Sequence, residues 1–276
     1  MCYFCLMDYL KKVVNFYINS SIHVGFSVYA FMRLTELYFG LPYNEPLDFF
    51  VFYGTITGYN FVKYAGVAKL HHKSLTNNLK YIQVFSLVCF LLACYYLAHL
   101  KVKTLILTLP FGLLTLFYAV PFIGKLQKNL RNISYLKIIV VALVWAGVTV
   151  LLPIYDAGNQ LDVKTFYMLF QRFLFVIVLI LPFDIRDIKF DAISLQTIPR
   201  KIGIENTKKA GFFILMICLF LEFLIAEENV FRKVFFIVFL LFSTMLMRAK
   251  EEQSKYYSSF WVEAIPLLWW GMLLIF

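Results

Sequence analysis

VKTFYMLFQRFLFVIVLILPFDIRDIKFD, residues 163–191, joins a long apolar run to a cluster of carboxylates. The part from 163 to 183 matches the roughly 20 mostly apolar residues that a helix needs to cross a hydrocarbon core. Comparable runs fill the rest of the chain. Spans are expected near 15–39, 47–68, 80–100, 102–123, 135–154, 163–183, 209–226, 230–248 and 257–275, about nine in all. Of 276 residues, 62% are hydrophobic, 19% aromatic and 15% charged, against about 25% charged in an ordinary soluble domain. There is no Pro-, Gly- or Ser-rich linker, repeat or low-complexity tract. The expectation is one all-α domain over residues 1–276, a polytopic membrane helix bundle, and a soluble fold is excluded.

Charge orients the bundle. With Lys11 and Lys12 placed in the cytoplasm, the loops on that side carry Lys69, Lys73, Lys125, Lys128 and Arg131. Further along they carry Arg186, Lys189, Arg200, Lys201, Lys208, Lys209, Arg248, Lys250 and Lys255. The opposite loops carry Glu36, Glu45, Asp48, Asp156, Asp162, Glu227 and Glu228. That asymmetry follows the positive-inside rule, and it predicts a cell (inner) membrane protein with a cytoplasmic N-terminus. Lys101, Lys103, Arg232 and Lys233 fall on the wrong side, where their long stems allow them to snorkel to the interface. The net charge of +10 reports basic loops facing anionic membrane lipids rather than nucleic acid. MCYFCLMDYLKK places its apolar residues before its lysines and does not read as a cleavable signal. Cys2, Cys5, Cys89, Cys94 and Cys218 are odd in number and mostly lie inside apolar runs, which argues against a disulfide framework.

Asp184, Asp187 and Asp191 are spaced i, i+3, i+7, which on one helix places three carboxylates on a single face. Such a cluster needs cations, and hard oxygen ligands suit Mg²⁺ bridging to phosphate. A solvated helix end, with Arg186 pairing the flanking aspartates, accounts for the spacing equally well.

FDIRDIKFDAISLQTIPRKIG, residues 183–203, resembles the second aspartate-rich motif of the UbiA superfamily of intramembrane aromatic prenyltransferases. Asp187 and Asp191 fall on its aspartate pair, with Thr197, Pro199 and Gly203 on the threonine, proline and glycine that follow. YAVPFIGKLQKNLRNISYLK, from residue 118, resembles the family's Tyr–Lys loop, with matches at Tyr118, Pro121 and Lys125, and Trp145 stands where the family often has one. The resemblance implies a lipid-open cavity that takes an isoprenyl diphosphate and a lipophilic acceptor. It further implies catalytic roles for Asp187, Asp191, Lys125 and Tyr118, donor binding by Asn60, Arg131 and Thr197, and Mg²⁺ held by Asp184, Asp187 and Asp191; Lys63 joins the donor-binding set as a departure from the family. The 31 Phe and 18 Tyr could line the cavity and shield an allylic cation from water.

The family's first motif is not matched. After Asn60, its three aspartate positions hold Phe61, Tyr64 and Ala68, and no acidic residue occurs between Asp48 and Asp156. Lys63, Lys69, His71, His72 and Lys73 occupy that region instead. Two readings follow: lysines substitute for a metal as point charges, or the chain keeps only the isoprenoid- or lipid-binding bundle. Charges inside spans also suit a solute transporter, but the internal repeats common in transporters are not visible. Glu222 and Glu263 are intramembrane carboxylates and so candidate sites in their own right; Glu222 is placed near the outer interface. His23 and His99 are expected to make interior hydrogen bonds or to sit at the interface.

Overall fold

Backbone polar groups find no water inside hydrocarbon, so a chain this apolar must satisfy them within its own helices. The structure is a computed structural model that describes residues 3–70, 77–120, 136–189 and 197–276. Every regular element among these residues is helical: α1 (Tyr3–Asn19), α2 (Ile22–Phe39), α3 (Glu45–Leu70), α4 (Asn77–Leu97) and α5 (Val102–Ala119) come first. They are followed by α6 (Leu136–Asp156), α7 (Val163–Asp187), α8 (Ile198–Ile202), α9 (Ile204–Ile225), α10 (Asn229–Arg248) and α11 (Tyr257–Ile275). Among the described residues, six helices are long and apolar enough to cross a membrane: α5, α6, α7, α10, α11 and residues 79–97 of α4. Beside them α2, α3 and α9, of 18, 26 and 22 residues, carry the more polar expected spans. The chain is an integral membrane protein.

The first span is not one helix from residue 15. It breaks at Ser20 and Ser21, where Ser21 adopts left-handed backbone (φ 61°, ψ 19°). α7 runs to Asp187 and carries Asp184 and Asp187. Asp191, Lys125, Arg131, His71 and His72 lie outside the described residues.

The long helices alternate in direction. α2 packs on α3, α6 and α11, while α7 packs on α6 and α9. α10 then joins α9 to α11, and α5 joins α3 to α6. α4 flanks α3 and turns Tyr81, Val84, Leu91 and Tyr95 outward. Lipid tails are as apolar as these side chains, so close packing and hydrogen bonds, not water expulsion, hold such helices together. Phe31, Phe175, Phe235, Phe242 and Trp269 fill the core. Arg172 is fully buried among them. Its Nη1 donates to the Phe31 carbonyl at 2.9 Å, and its guanidinium lies 4.0 Å from the Phe31 ring centroid.

Glu222 lies one turn from the end of α9, at Ile225, and is enclosed by protein there. It is fully buried and accepts from the Tyr38 hydroxyl at 2.6 Å and from Gln171 Nε2 at 2.8 Å. A buried carboxylate would be costly alone, and the network supplies its partners. Three of the four basic residues on the unexpected side are likewise bonded to protein. Lys101 donates to the Asp156 carbonyl at 2.7 Å and Lys103 to the Tyr155 carbonyl at 3.2 Å. Arg232 caps the Ala226 carbonyl at 2.7 Å. His23 is bonded inside the bundle to the Tyr17 hydroxyl and the Phe260 carbonyl, each at 2.9 Å, whereas His99 accompanies its own helix through the Tyr95 carbonyl at 2.8 Å.

Candidate functional site

The break at Ser21 is where sequence chemistry begins to build a site. A left-handed residue bearing a Cβ costs roughly 1–2 kcal/mol, so something must hold it. Asn60 of α3 does so: its Oδ1 accepts from the Ser21 hydroxyl at 2.8 Å, and its Nδ2 donates to the Ser20 carbonyl at 3.0 Å. The Tyr64 hydroxyl donates to the Asn19 carbonyl at 2.9 Å. One turn from Asn60, the Lys63 ammonium donates to Ser21 Oγ at 2.9 Å and to the Ile18 carbonyl at 3.5 Å. Asn60 and Thr197 are buried but do not line the cavity described next. Asn60 acts on it through the kink it fixes.

Enclosed by α2, α3, α5, α6, α7 and α11 is a cavity of about 1070 Å³. One end is apolar and aromatic, with Phe50, Tyr59, Phe111, Trp145, Val176 and Leu179 on its wall. Trp145 Nε1 donates to the Tyr59 hydroxyl at 2.9 Å, which satisfies the indole N–H at that wall. Tyr118 also lines it and is buried. The other end is a charged mouth. Its cations are Lys63, Lys137, Arg186, Lys189 and Lys255. Its carboxylates are Asp184, Asp187, Glu251, Glu252 and Glu263.

Pairing in the mouth is close. Lys137, at the start of α6, donates to Asp184 Oδ1 at 2.9 Å. Arg186 grips Asp187 with two bonds, Nε to Oδ1 at 2.7 Å and Nη2 to Oδ2 at 3.1 Å, and sends Nη1 to Ser259 Oγ at 3.1 Å. Lys189 and Glu252 meet at 2.9 Å. Hydrogen bonding to Lys189 holds the Glu252 carboxyl below its usual range, and the same bond raises the lysine. Glu263 lies within electrostatic reach of Lys63 and Arg186. The local Arg186–Asp187 pairing that the spacing allowed is therefore realised, while Asp184 turns to a partner 47 positions away in sequence.

The donor set can be tested against a metal cage. α3 presents Lys63 to the mouth and no carboxylate. Phe61 and Tyr64, at the aspartate positions of the first motif, do not line the cavity at all. Asp184 and Asp187 already have cations as partners. Among the described residues, no three His, Cys, Asp or Glu side chains converge to hold a metal ion. These residues do not fit a two-sided carboxylate cage.

Of the residues singled out in the sequence, Lys63, Tyr118, Asp184 and Asp187 share this cavity. Lys137 was missed, although a lysine one residue inside an apolar run is the signal that intramembrane charges provide. Glu263 carried that signal, but its cationic neighbours lie on α3 and α7 and could not be named from spacing.

Comparison with known proteins then assigns the chain. Among curated proteins, none matches it in sequence. The apo structure of a UbiA homolog from Aeropyrum pernix K1 superimposes with a TM-score of 0.67 at 14% identity, over 92% of this chain and 97% of that one. A digeranylgeranylglyceryl phosphate synthase gives a TM-score of 0.55 at 13% identity, over 96% and 98%. A UbiA homolog from Archaeoglobus fulgidus bound to DMAPP and Mg²⁺ gives 0.50 at 14% identity, over 94% and 93%. At such identities the likeness establishes the fold. The sequence model of the UbiA prenyltransferase family matches residues 72–272, well over half of the chain, and the protein belongs to that family.

Proposed function

We propose that the protein is an integral membrane prenyltransferase that moves an isoprenyl group from an isoprenyl diphosphate to an aromatic or other lipophilic acceptor. The observation that carries this reading is the polarity of one cavity, charged at its mouth and aromatic at its depth. A prenyl diphosphate has that same division. Its chain lies along Phe50, Phe111, Val176 and Leu179, and its diphosphate meets Lys63, Lys137 and Arg186. The allylic C–O bond breaks heterolytically, and its electron pair leaves with the diphosphate, whose growing charge the fixed cations stabilise. The acceptor's nucleophilic atom then bonds to the allylic carbon and gives up its proton. Dry aromatic walls keep water from capturing the cation first. Tyr118 stands at the cavity wall; roles for Lys125, Arg131 and Asp191 rest on the family resemblance alone.

A second reading, an isoprenoid-binding homologue without turnover, is favoured by the engagement of both described aspartates in ion pairs. Labelled farnesyl and geranylgeranyl diphosphates, presented to purified protein with quinone-like and tetrapyrrole acceptors, separate the two. Transfer is expected to release diphosphate and to fall by roughly tenfold or more in Lys137→Met, as loss of one charge-assisted contact predicts. Binding without diphosphate release, across all acceptors, establishes the second reading instead.

A further inference from the structure

Resting on the prenyl-donor reading, we infer that this chain holds the donor's diphosphate with side-chain cations alone, Lys63 chief among them, and needs no divalent metal to do so. An ammonium has three N–H donors, and Ser21 and the Ile18 carbonyl receive two from Lys63. Those bonds hold the head group at the cavity mouth, and the third donor is available to a ligand. The kink that supplies Ser21 is itself clamped by Asn60. A flexible, entropically expensive lysine thereby becomes a pre-positioned charge.

The opposite wall agrees. Arg186 presents a planar fork, and carboxylate and phosphate oxygens suit that fork equally. Asp187 now occupies it and is replaceable by a phosphate oxygen without leaving either N–H unsatisfied. Lys137, which holds the buried Asp184 through one N–H, adds its charge to the same wall. Among the described residues, the five cations and five carboxylates of the mouth cancel. A cage for two dications requires an excess of negative charge, and the described lining has none. α3 in particular contributes a cation where a metal-binding wall requires acids.

Calorimetry on the purified full chain tests this, with inorganic diphosphate and farnesyl thiolodiphosphate, a slow-ionising donor analogue, as probes. Each is titrated in EDTA and in excess Mg²⁺. The expected result is binding in EDTA within about threefold of that in Mg²⁺, and a loss of roughly tenfold in Lys63→Gln under both conditions, the size of one charge-assisted hydrogen bond. Lys63→Arg keeps the charge and should restore most of the affinity, which separates lost charge from lost folding. Binding that appears only with Mg²⁺ overturns the inference and leaves the donor reading intact, as does wild-type affinity in Lys63→Gln. Binding of neither probe in either condition overturns both.

Discussion

Asp162 stands one residue before the span that decides the fold, and it does its work by position. Its Oδ1 accepts from the Thr165 backbone N–H at 2.8 Å and from the Thr165 hydroxyl at 2.7 Å, the geometry of an N-cap on α7. These bonds favour the ionised form and hold the carboxyl below its ordinary value of 3.8. A carboxyl depressed in the folded state adds stability that is present above its unfolded pKa and is lost as pH falls through the folded one. Asp162→Ala should lower unfolding stability by about 1 kcal/mol at neutral pH. The gap between wild type and variant should close as pH drops below the ordinary aspartate range. Thermal unfolding in detergent across a pH series measures both, and a gap that persists in acid contradicts the assignment.

At the scale of elements, hydropathy made the spans legible because each must bury its backbone in lipid, a requirement local to about 20 residues. Features set by contact between spans were not legible. The Ser20–Ser21 break depends on Asn60 across the bundle, and the wide turn at Gly147–Leu151 in α6 leaves no periodic trace. That turn brings Gly147 against Phe111, whose ring a Cβ would overlap. The Lys137–Asp184 pair joins α6 to α7 and carries no spacing rule. α3 and α5 contain a further element-scale device. Gly54, Gly58 and Gly112 line the cavity, and a Cβ at Gly54 or Gly112 would meet nothing within 4 Å. Glycine inside a helix costs roughly 0.5–1 kcal/mol relative to alanine, so these positions give up stability and leave room. On the prenyl-donor reading that room belongs to the chain. Gly54→Leu, which fills that room with four carbons, should therefore lower turnover of geranylgeranyl diphosphate relative to geranyl diphosphate by roughly tenfold or more, since a single methylene already provides discrimination of that order. Equal ratios in variant and wild type would remove the glycine wall from the specificity argument.

At the scale of the whole molecule, the alternating helices sort charge to two ends. One end is the cavity mouth, with Lys63, Lys137, Arg186, Lys189 and Lys255. At the other, Arg33 pairs with Glu36 and Asp48, and Asp156 collects Lys101, Thr104 and Asn44. There most of the basic residues are consumed by acids and carbonyls, whereas the mouth-side loops keep the excess of lysine and arginine that retains a loop in the cytoplasm. By that rule we propose that the mouth faces the cytoplasm, where, on the prenyl-donor reading, a soluble or peripheral source could deliver the diphosphate end. In a cysteine-free background, Asn159→Cys and Ser254→Cys place single thiols at exposed positions on the far end and the mouth end. A membrane-impermeant maleimide should label Asn159→Cys on intact cells and reach Ser254→Cys only after permeabilisation. The reverse pattern would put the mouth outside, and the wrong-side lysines of α5, already tied down by Asp156 and Tyr155, would then have to be counted as the retained charges instead.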